Sequence, residues 1–207
     1  YALAKSTYDF IYIPWFSTEL LASFVLKKHF KKSAKKWDTY CVYNNPALIV
    51  KKPVTFYRDE KNFVLYSRPI VNRNMFELAA LVVCEAYVRG VFSRKCKWNF
   101  WGMGIGNVEI NLGEKVGLKQ IPRLSLDDYY KKINEFDLGL SLMASPHPSL
   151  IPFDLAGVGC KVVTNEFENK DHKFFDKISS NISCVSQDLD SLVNELSRQV
   201  DKIEDNN

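Results

Sequence analysis

From residue 61 onward, short apolar runs alternate with stretches of helical periodicity, and no other feature of the sequence constrains the fold as strongly. Strands are predicted at 63–66, 97–101, 116–121, 137–143 and 161–164. Strands that alternate with helices form a parallel, doubly wound sheet with helices on both faces. The sequence therefore predicts an α/β domain over residues 61–207, preceded by a helical and extended segment over residues 1–60.

Capping residues indicate where the helices of this domain begin. Asn74 and Glu77 have the spacing of a capping box, and Gly90 is predicted to end the helix that follows. Ser125 and Asp128 form a second box. The inward face of the second helix is predicted to comprise Leu126, Tyr129, Ile133 and Phe136. Further helices are predicted at 153–158 and, with an amphipathic pattern, at 189–203.

The N-terminal segment carries a concentration of positive charge. Ser17 can cap a helix that runs to about Lys36, and an extended connector is predicted over 40–60. Six lysines lie within ten positions of this helix: Lys27, Lys28, Lys31, Lys32, Lys35 and Lys36. A lysine cluster is usually a solvated helix face, but beside an apolar stripe it also suits peripheral contact with an anionic membrane.

Composition excludes several classes of protein. The formal net charge of +4 does not by itself indicate nucleic acid as a partner. Five widely spaced cysteines without a C-x-x-C pair indicate reduced thiols in a cytoplasmic protein, and three scattered histidines indicate no metal site. No apolar run approaches the roughly 20 residues of a membrane-spanning helix, and no signal peptide is visible. Because the sequence begins with Tyr1, we expect it to be part of a longer protein.

Two arginines follow the first predicted strand of the domain. Arg68 and Arg73 flank the strand end and the helix start, where free N–H groups and the helix dipole favour an anion. Guanidinium groups match phosphate oxygens in bidentate geometry, so the pair suits a diphosphate. The alternative is that both arginines are solvated loop residues.

A glycine run follows the second predicted strand. Gly102, Gly104 and Gly106 begin a dinucleotide fingerprint, but Asn107 stands where its third glycine belongs, and no lysine of a P-loop follows. A nicotinamide dehydrogenase is therefore not indicated. The run is interpreted as a tight turn that permits close approach of a ligand or of another backbone segment.

A stiff loop follows the buried strand at 137–143. Prolines bracket His147 in the string SPHPS at 145–149, and Asp154 lies in the first turn of the next helix. Asp154 is either a capping partner of that helix or a carboxylate that accepts hydrogen bonds from sugar hydroxyls. His147 is either inert or a donor to a phosphate or sugar oxygen.

Seven segments resemble one family in the same order along the chain. They read YSRP at 66–69, NRN at 72–74, FEL at 76–78, LSLDDY at 124–129, GLSLMASPHPS at 139–149, VTN at 163–165 and NKD at 169–171. The chain resembles the donor-binding C-terminal half of GT-B glycosyltransferases, and more closely the rhamnosyltransferases of rhamnan and surface-glycan synthesis. The resemblance implies a Rossmann-like domain, with residues 1–60 as a remnant of the acceptor-side domain plus a linker.

The resemblance also implies roles for single residues. Arg68 and Arg73 match the basic pair that neutralises the diphosphate leaving group. Asp154 matches the second acid of an E-x7-E motif whose first acid is replaced by Pro146. The remaining residues expected at the donor sugar or nucleotide are Ser145, His147, Thr164, Asn165 and Lys170, the last three in a loop that could close over the donor.

The function implied is transfer of a sugar, such as the deoxyhexose rhamnose, from a nucleotide-sugar donor to a growing glycan, without a metal or another cofactor. This chain would supply mainly the donor-binding domain, so the fragment alone is expected to bind donor without transferring it. A module that binds a nucleotide or a glycan without catalysis is the alternative, because the first acid of the motif is missing.

Overall fold

The structure is a computed structural model of the 207-residue chain, and it describes residues 60–92, 95–106, 108–113 and 116–205. Nearly all of the predicted N-terminal segment over 1–60 lies outside the described residues. The lysine-rich helix and its membrane contact therefore stay predictions. Among the described helices, none combines the length and the apolar character that crossing a bilayer requires.

Strands and helices alternate along the described residues, except that four strands follow one another between residues 97 and 121. The strands are β1 (Glu60–Tyr66), β2 (Lys97–Met103), β3 (Asn111–Gly113), β4 (Val116–Gly117), β5 (Lys119–Ile121), β6 (Leu138–Ser141), β7 (Lys161–Asn165) and β8 (Ile182–Val185). The α-helices are α1 (Phe76–Val88), α2 (Leu126–Ile133), α3 (Ile151–Gly157), α4 (His172–Asp176) and α5 (Leu189–Asp205). A short 3-10 helix, Asn72–Asn74, precedes α1.

Six of these strands form one sheet in the order β5-β2-β1-β6-β7-β8, and every neighbouring pair is parallel. β3 and β4 form a separate antiparallel pair. All four residues of the central strand β6 are buried, as expected when helices cover both faces of a parallel sheet. The predicted α/β, Rossmann-like, doubly wound fold is confirmed.

Alternate side chains of β1 enter two separate cores. Phe63 and Leu65 pack on the face covered by α1 and α5, where Phe63 meets Phe92 with ring centroids 5.3 Å apart. Val64 packs on the other face, with α2, α3 and α4. Burying a side chain of this size contributes about 1.5–3 kcal/mol, so the two cores fix which face of each strand turns inward.

A glycine allows α3 to approach the sheet closely. A Cβ atom at Gly139 of β6 would lie 2.8 Å from the Cδ1 atom of Leu155, so a larger residue would push α3 away. This contact sets the depth at which the start of α3, with Asp154, lies over the end of β6.

Several predicted details of the elements are wrong. The N-cap of α1 is Met75 in the left-handed conformation (φ +49°), without a side-chain cap, so Asn74 and Glu77 form no capping box. Leu126, the first residue of α2, is 66% exposed and does not face inward. The strand predicted over 116–121 is divided, since the Leu118 N–H donates to Ile110 at 3.0 Å and leaves the ladder. Strand β8, which the sequence does not predict, follows the last clear predicted strand at 161–164.

The other capping prediction is confirmed. The Ser125 hydroxyl accepts a hydrogen bond from the Asp128 backbone N–H, as the N-cap of α2 requires. Gly90 follows α1 with φ +73° and ends the helix, as predicted.

Candidate functional site

The sheet order changes direction between β1 and β6. The chain passes from β1 to β2 on one side and returns through β6 on the other, so β1 and β6 are neighbours at a topological switch point. Ligands of open α/β sheets bind outside the carboxyl ends of the strands at such a point. The loops after β1 and β6 are in direct contact, because the Ala144 N–H donates to the Arg73 carbonyl at 2.7 Å.

Both predicted arginines lie on the loop after β1. Their side chains are exposed, and the Arg68 Nε donates to the Tyr66 hydroxyl at 3.1 Å. Within the described residues, neither guanidinium forms an ion pair with a carboxylate. Ser67 fixes the base of this loop, because its N–H donates to Met103 at 3.1 Å and its hydroxyl donates to Asn74 at 3.2 Å.

Gly104 has the close approach that the glycine run predicted. It lies just after β2 with φ +79°, and a Cβ atom there would be 2.8 Å from the Ser67 carbonyl and 3.3 Å from the Tyr66 ring. Of the two interpretations, close approach to another backbone segment is therefore the one that applies. The backbone at Gly104 therefore packs directly against the start of the β1 loop and against the Tyr66 ring.

The loop after β6 is closed by its own hydrogen bonds. The His147 N–H donates to the Ser145 hydroxyl at 3.1 Å, and the Ser149 N–H donates to His147 Nδ1 at 3.0 Å. Pro146 and Pro148 have no N–H to offer and restrict φ. Ser149 has φ +66°, a conformation that a residue other than glycine rarely adopts. The loop is therefore rigid and locally strained.

Thr164, Asn165 and Lys170 are expected in a loop over the donor, but this is wrong for Thr164 and Asn165, which are buried at the end of strand β7. All three hold β6 or the loop that follows it. The Thr164 hydroxyl donates to Ser141 at 2.8 Å, and Asn165 accepts from the Met143 N–H at 2.7 Å. The Lys170 ammonium is fully buried and donates to the Met143 carbonyl at 2.8 Å. These contacts make them positioning residues, while any direct contact with a ligand stays a prediction.

Arg73, His147 and Lys170 form what we call the cationic cluster. Burial lowers the pKa of Lys170 to about 8. Burial also lowers the pKa of His147, and the positive charges of Arg73 and Lys170 lower it further. The cluster brings together residues from the loops after β1, β6 and β7, all at the carboxyl edge of the sheet.

Tyr66, Tyr129 and Asp154 form a second group, the tyrosine–carboxylate cluster. The Tyr129 hydroxyl donates to Asp154 Oδ2 at 2.9 Å. Burial raises the pKa of Asp154, and the Tyr129 hydrogen bond opposes that shift. Burial, together with Asp154 and Tyr66, raises the pKa of Tyr129 well above its usual range. Sequence reasoning missed both tyrosines as site residues, because only tertiary contacts mark them: Tyr129 bonds to Asp154, and Tyr66 lies near Tyr129.

A shallow cleft of about 310 Å³ lies beside Trp101, away from the switch point. Its charged groups pair with one another: Lys132 meets Glu135 at 2.6 Å, and Lys131 meets Asp128 at 3.5 Å. Lys132 also lies 3.9 Å from the centroid of the Trp101 ring. Because these charges are already neutralised, the cleft is a weaker candidate than the crevice between β1 and β6.

The arrangement at the switch point suits an anionic ligand that also carries hydroxyl groups. Two guanidiniums and a buried ammonium supply positive charge, and Asp154 supplies an acceptor. Within the described residues, no three His, Cys, Asp or Glu side chains gather as a metal site would require. The metal-independence that the resemblance implies stays a prediction.

The family model described as "WsaF, C-terminal domain" matches residues 61–197. No curated protein matches the sequence. The crystal structure of TarM is similar over 83% of this chain and 36% of its own, with a TM-score of 0.54 and 16% identity. At this identity the likeness establishes a shared fold, which agrees with the predicted GT-B half at the level of the fold.

Two further solved structures align more loosely. A crystal structure of the GtfA/B complex matches at TM-score 0.44 and 14% identity, over 78% of this chain and 34% of its own. The pneumococcal O-GlcNAc transferase GtfA in complex with UDP and GlcNAc matches at TM-score 0.39 and 14% identity, over 74% and 29%. Superpositions this loose carry no argument about function. The chain spans about a third of the length of the solved chains it matches.

Proposed function

The chain belongs to the WsaF C-terminal domain family, and we propose that it binds the nucleotide-sugar donor of a glycosyltransferase. The observation that carries this proposal is the pair Arg68 and Arg73, whose guanidiniums have no carboxylate partner among the described residues and lie at the switch point. Exposed cations at the carboxyl edge of a parallel sheet match the charge and the location of a nucleoside diphosphate.

The same residues can assist departure of the diphosphate. When the bond between sugar and diphosphate breaks, negative charge accumulates on the leaving group, and preorganised cations stabilise it. The β1 and β6 loops are held in place before a ligand arrives, through the hydrogen bond between Ala144 and Arg73. Little rearrangement is therefore needed at the moment of reaction.

Asp154 is proposed to recognise a hydroxyl group of the donor. Tyr129 donates to Oδ2 of its carboxylate. A carboxylate can accept several hydrogen bonds, so Oδ1 can take a further one from a sugar hydroxyl. The aspartate is held at the start of α3, next to the rigid loop that carries His147.

The finer proposal is that the donor carries a deoxyhexose such as rhamnose and that the acceptor is a growing glycan. The resemblance of the segments at 66–69, 139–149, 163–165 and 169–171 to polysaccharide rhamnosyltransferases supports it. A thermal-shift screen of nucleotide sugars tests it, with the largest stabilisation expected from a deoxyhexose donor. A clear preference for a hexose that retains all its hydroxyl groups would contradict the finer proposal alone.

Calorimetry on the 207-residue chain tests the site. We expect Arg68→Ala and Arg73→Ala each to weaken binding of a nucleoside diphosphate by about 1.5–3 kcal/mol, the range for a hydrogen bond to a charged group. Binding of the parent nucleoside, which has no phosphates, should change little.

Arg123→Ala is the matched control, because it removes one exposed positive charge from the loop after β5, two strands away from β1. Its effect on diphosphate binding should be small. Equal losses for nucleoside and diphosphate would remove the arginines from the phosphate site. Absence of binding to every nucleoside diphosphate and nucleotide sugar would refute the proposed function.

A second candidate function is a binding module without catalysis. Pro146 stands where the motif described above has its first acid, and its ring can neither accept a proton nor bind a sugar hydroxyl through a carboxylate. Sugar transfer by the intact parent protein, lost on substitution of Arg73, would exclude this alternative. Donor binding without transfer by the intact parent would favour it.

A further inference from the structure

His147 has one ring nitrogen committed to its own loop. The Ser149 N–H donates to Nδ1 at 3.0 Å, so Nδ1 acts as the acceptor and carries no hydrogen. In a neutral imidazole the hydrogen then resides on Nε2. Within the described residues, no hydrogen bond to Nε2 occurs, although the ring is half-buried.

The surroundings keep the ring neutral. Arg73 approaches from the loop after β1 and Lys170 from the segment after β7, and both positive charges oppose a third on the imidazole. Protonation would also place a hydrogen on Nδ1, where the Ser149 N–H now points. His147 is therefore held as a hydrogen-bond donor at Nε2, with the positive charges of Arg73 and Lys170 near the ring.

The strained conformation of Ser149 helps to keep the hydrogen of the His147 ring on Nε2. Because Pro148 has no N–H, the first backbone donor after His147 is that of Ser149, and it reaches Nδ1 in a residue with φ +66°. A strained backbone of this kind is unfavourable and persists where surrounding contacts impose it. Here the strained residue supplies the N–H that occupies Nδ1 and leaves the hydrogen of the neutral imidazole on Nε2.

We propose that His147 is a ligand-contacting residue, which donates its Nε2 hydrogen to a phosphate oxygen of the bound nucleoside diphosphate. This inference rests on the proposed function, because it assigns a third recognition element to the same anion as Arg68 and Arg73. A phosphate oxygen fits better than a sugar hydroxyl, since the two cations next to His147 attract the charged part of the ligand. The neutral His147 ring thus orients the phosphate through a hydrogen bond and adds no positive charge to the site.

Two amide substitutions distinguish the roles of the two ring nitrogens of His147. His147→Gln places an amide NH₂ near the position of Nε2 and can keep the donor, whereas His147→Asn places an amide oxygen near Nδ1 and keeps only the acceptor for Ser149. Calorimetry with a nucleoside diphosphate should give about a 10-fold loss of affinity for His147→Asn, the order expected for one hydrogen bond to a charged acceptor. His147→Gln should stay within about 3-fold of the wild type.

The reverse order would overturn the inference. If His147 only holds its loop, His147→Asn should bind like the wild type and His147→Gln should be the weaker variant. Equal losses in both variants would also overturn it, because neither nitrogen would then be distinguished. A loss seen with a nucleotide sugar but not with the nucleoside diphosphate would refute the assignment to a phosphate oxygen.

Failure of the inference is distinguishable from failure of the proposed function. If wild-type protein binds no nucleoside diphosphate, the proposed function fails first; if it binds but the variants follow the wrong order, only the role of His147 fails. A measurement on the wild-type protein tests the inference even if a variant does not fold. Nitrogen-15 spectra of the His147 ring should show the neutral Nε2–H tautomer at pH 7, with the Nε2 signal shifting on addition of the diphosphate. An Nδ1–H tautomer or an imidazolium at pH 7 would overturn the inference.

Discussion

The cationic cluster and the tyrosine–carboxylate cluster lie at the same edge of the sheet but satisfy their polar groups differently. In the first, Lys170 and His147 bond to backbone atoms of the β6 loop, and no carboxylate among the described residues faces the charge of Arg73. In the second, Tyr129 and Asp154 bond to each other. The first cluster thus retains positive charge for a ligand, whereas the second is largely satisfied within the protein.

This difference has an energetic consequence. Burying a charge without an opposite charge is unfavourable, and the pKa of Lys170 is lowered for that reason. Asp154 is also buried, but the phenol of Tyr129 offsets part of the cost. An anion bound at the switch point would relieve the unfavourable charge of the cationic cluster. We therefore expect the cationic cluster to contribute most of the affinity for the anionic part of the ligand, and Asp154 to contribute only the single hydroxyl contact proposed above.

The largest expected effect concerns the buried ammonium. The pKa of Lys170 is about 8 in the folded chain, below its ordinary value of 10.5, so the folded protein loses this proton at lower pH than the unfolded one. The unfolded state then binds more protons between about pH 8 and 10.5, and stability rises with pH there. Relative to Lys170→Met, the wild type should gain on the order of 3 kcal/mol over that range. Denaturant unfolding at pH 7.5 and pH 10 measures the difference.

Lys173→Met is the control for this experiment, because it makes the same chemical change at an exposed position of α4. It should follow the wild-type pH dependence. Cys184 lies near Lys170, but burial raises the pKa of its thiol to about 12, so it stays protonated over this range. Parallel stability curves for wild type and Lys170→Met would show that the ammonium does not lose its proton there, and the cationic cluster would then be less strained than we infer.

Removing the phenol from the second cluster should have a smaller effect with the opposite pH trend. Burial raises the pKa of Asp154, and Tyr129→Phe should raise it further, because the hydrogen bond to the carboxylate is lost. An acid whose pKa is raised on folding costs stability above that pKa and not below its unfolded value. The variant should therefore lose about 1.5–2 kcal/mol at pH 7 and about 1 kcal/mol or less near pH 4.

Tyr130→Phe provides the comparison, since it removes a hydroxyl from the neighbouring position of α2 without touching Asp154. Urea unfolding of both variants at pH 7 and pH 4 separates the two positions. A loss for Tyr129→Phe that is the same at both pH values would mean that the phenol does not stabilise the charged carboxylate. The tyrosine–carboxylate cluster would then be an ordinary packing contact.

The two clusters also differ in how far the sequence could predict them. Arg73 and His147 each lie in a short loop directly after an apolar strand, so parallel pairing alone brings them to one edge. Tyr129 on α2 and Asp154 on α3 are 25 positions apart, and Tyr66 on β1 lies 63 positions before Tyr129. Only the tertiary fold brings these polar groups together. The local sequence pattern therefore predicts that Arg73 and His147 lie at one edge of the sheet. It does not predict the tertiary contact between Tyr129 and Asp154.

Three remaining differences between prediction and structure have separate physical causes. Lys170 was expected in a loop that closes over the donor, but its segment folds back on itself, with Phe167 and Lys170 joined by backbone hydrogen bonds, and buries the side chain. Strand β8 has only four residues and two of them are half-buried, so its apolar signal is weak. Met75 caps α1 by its left-handed backbone, which the sequence of a methionine does not indicate.

The smallest expected effect tests the backbone strain at Ser149, in the loop after β6 that carries His147. Ser149 adopts φ +66°, whereas the close approach beneath Tyr66 is made by a glycine, Gly104, at φ +79°. Ser149→Gly should relieve the strain and keep the N–H that bonds to His147, with part of the gain offset by the greater freedom of glycine in the unfolded chain. Ser149→Ala loses the same hydroxyl but keeps the Cβ atom and its strain. We therefore expect the glycine variant to be about 0.5–1 kcal/mol more stable than the alanine variant, with unchanged affinity for a nucleoside diphosphate. If alanine proves the more stable of the two, the loop after β6 is not strained at Ser149, and the rigidity that we assign to His147 must come from its prolines alone.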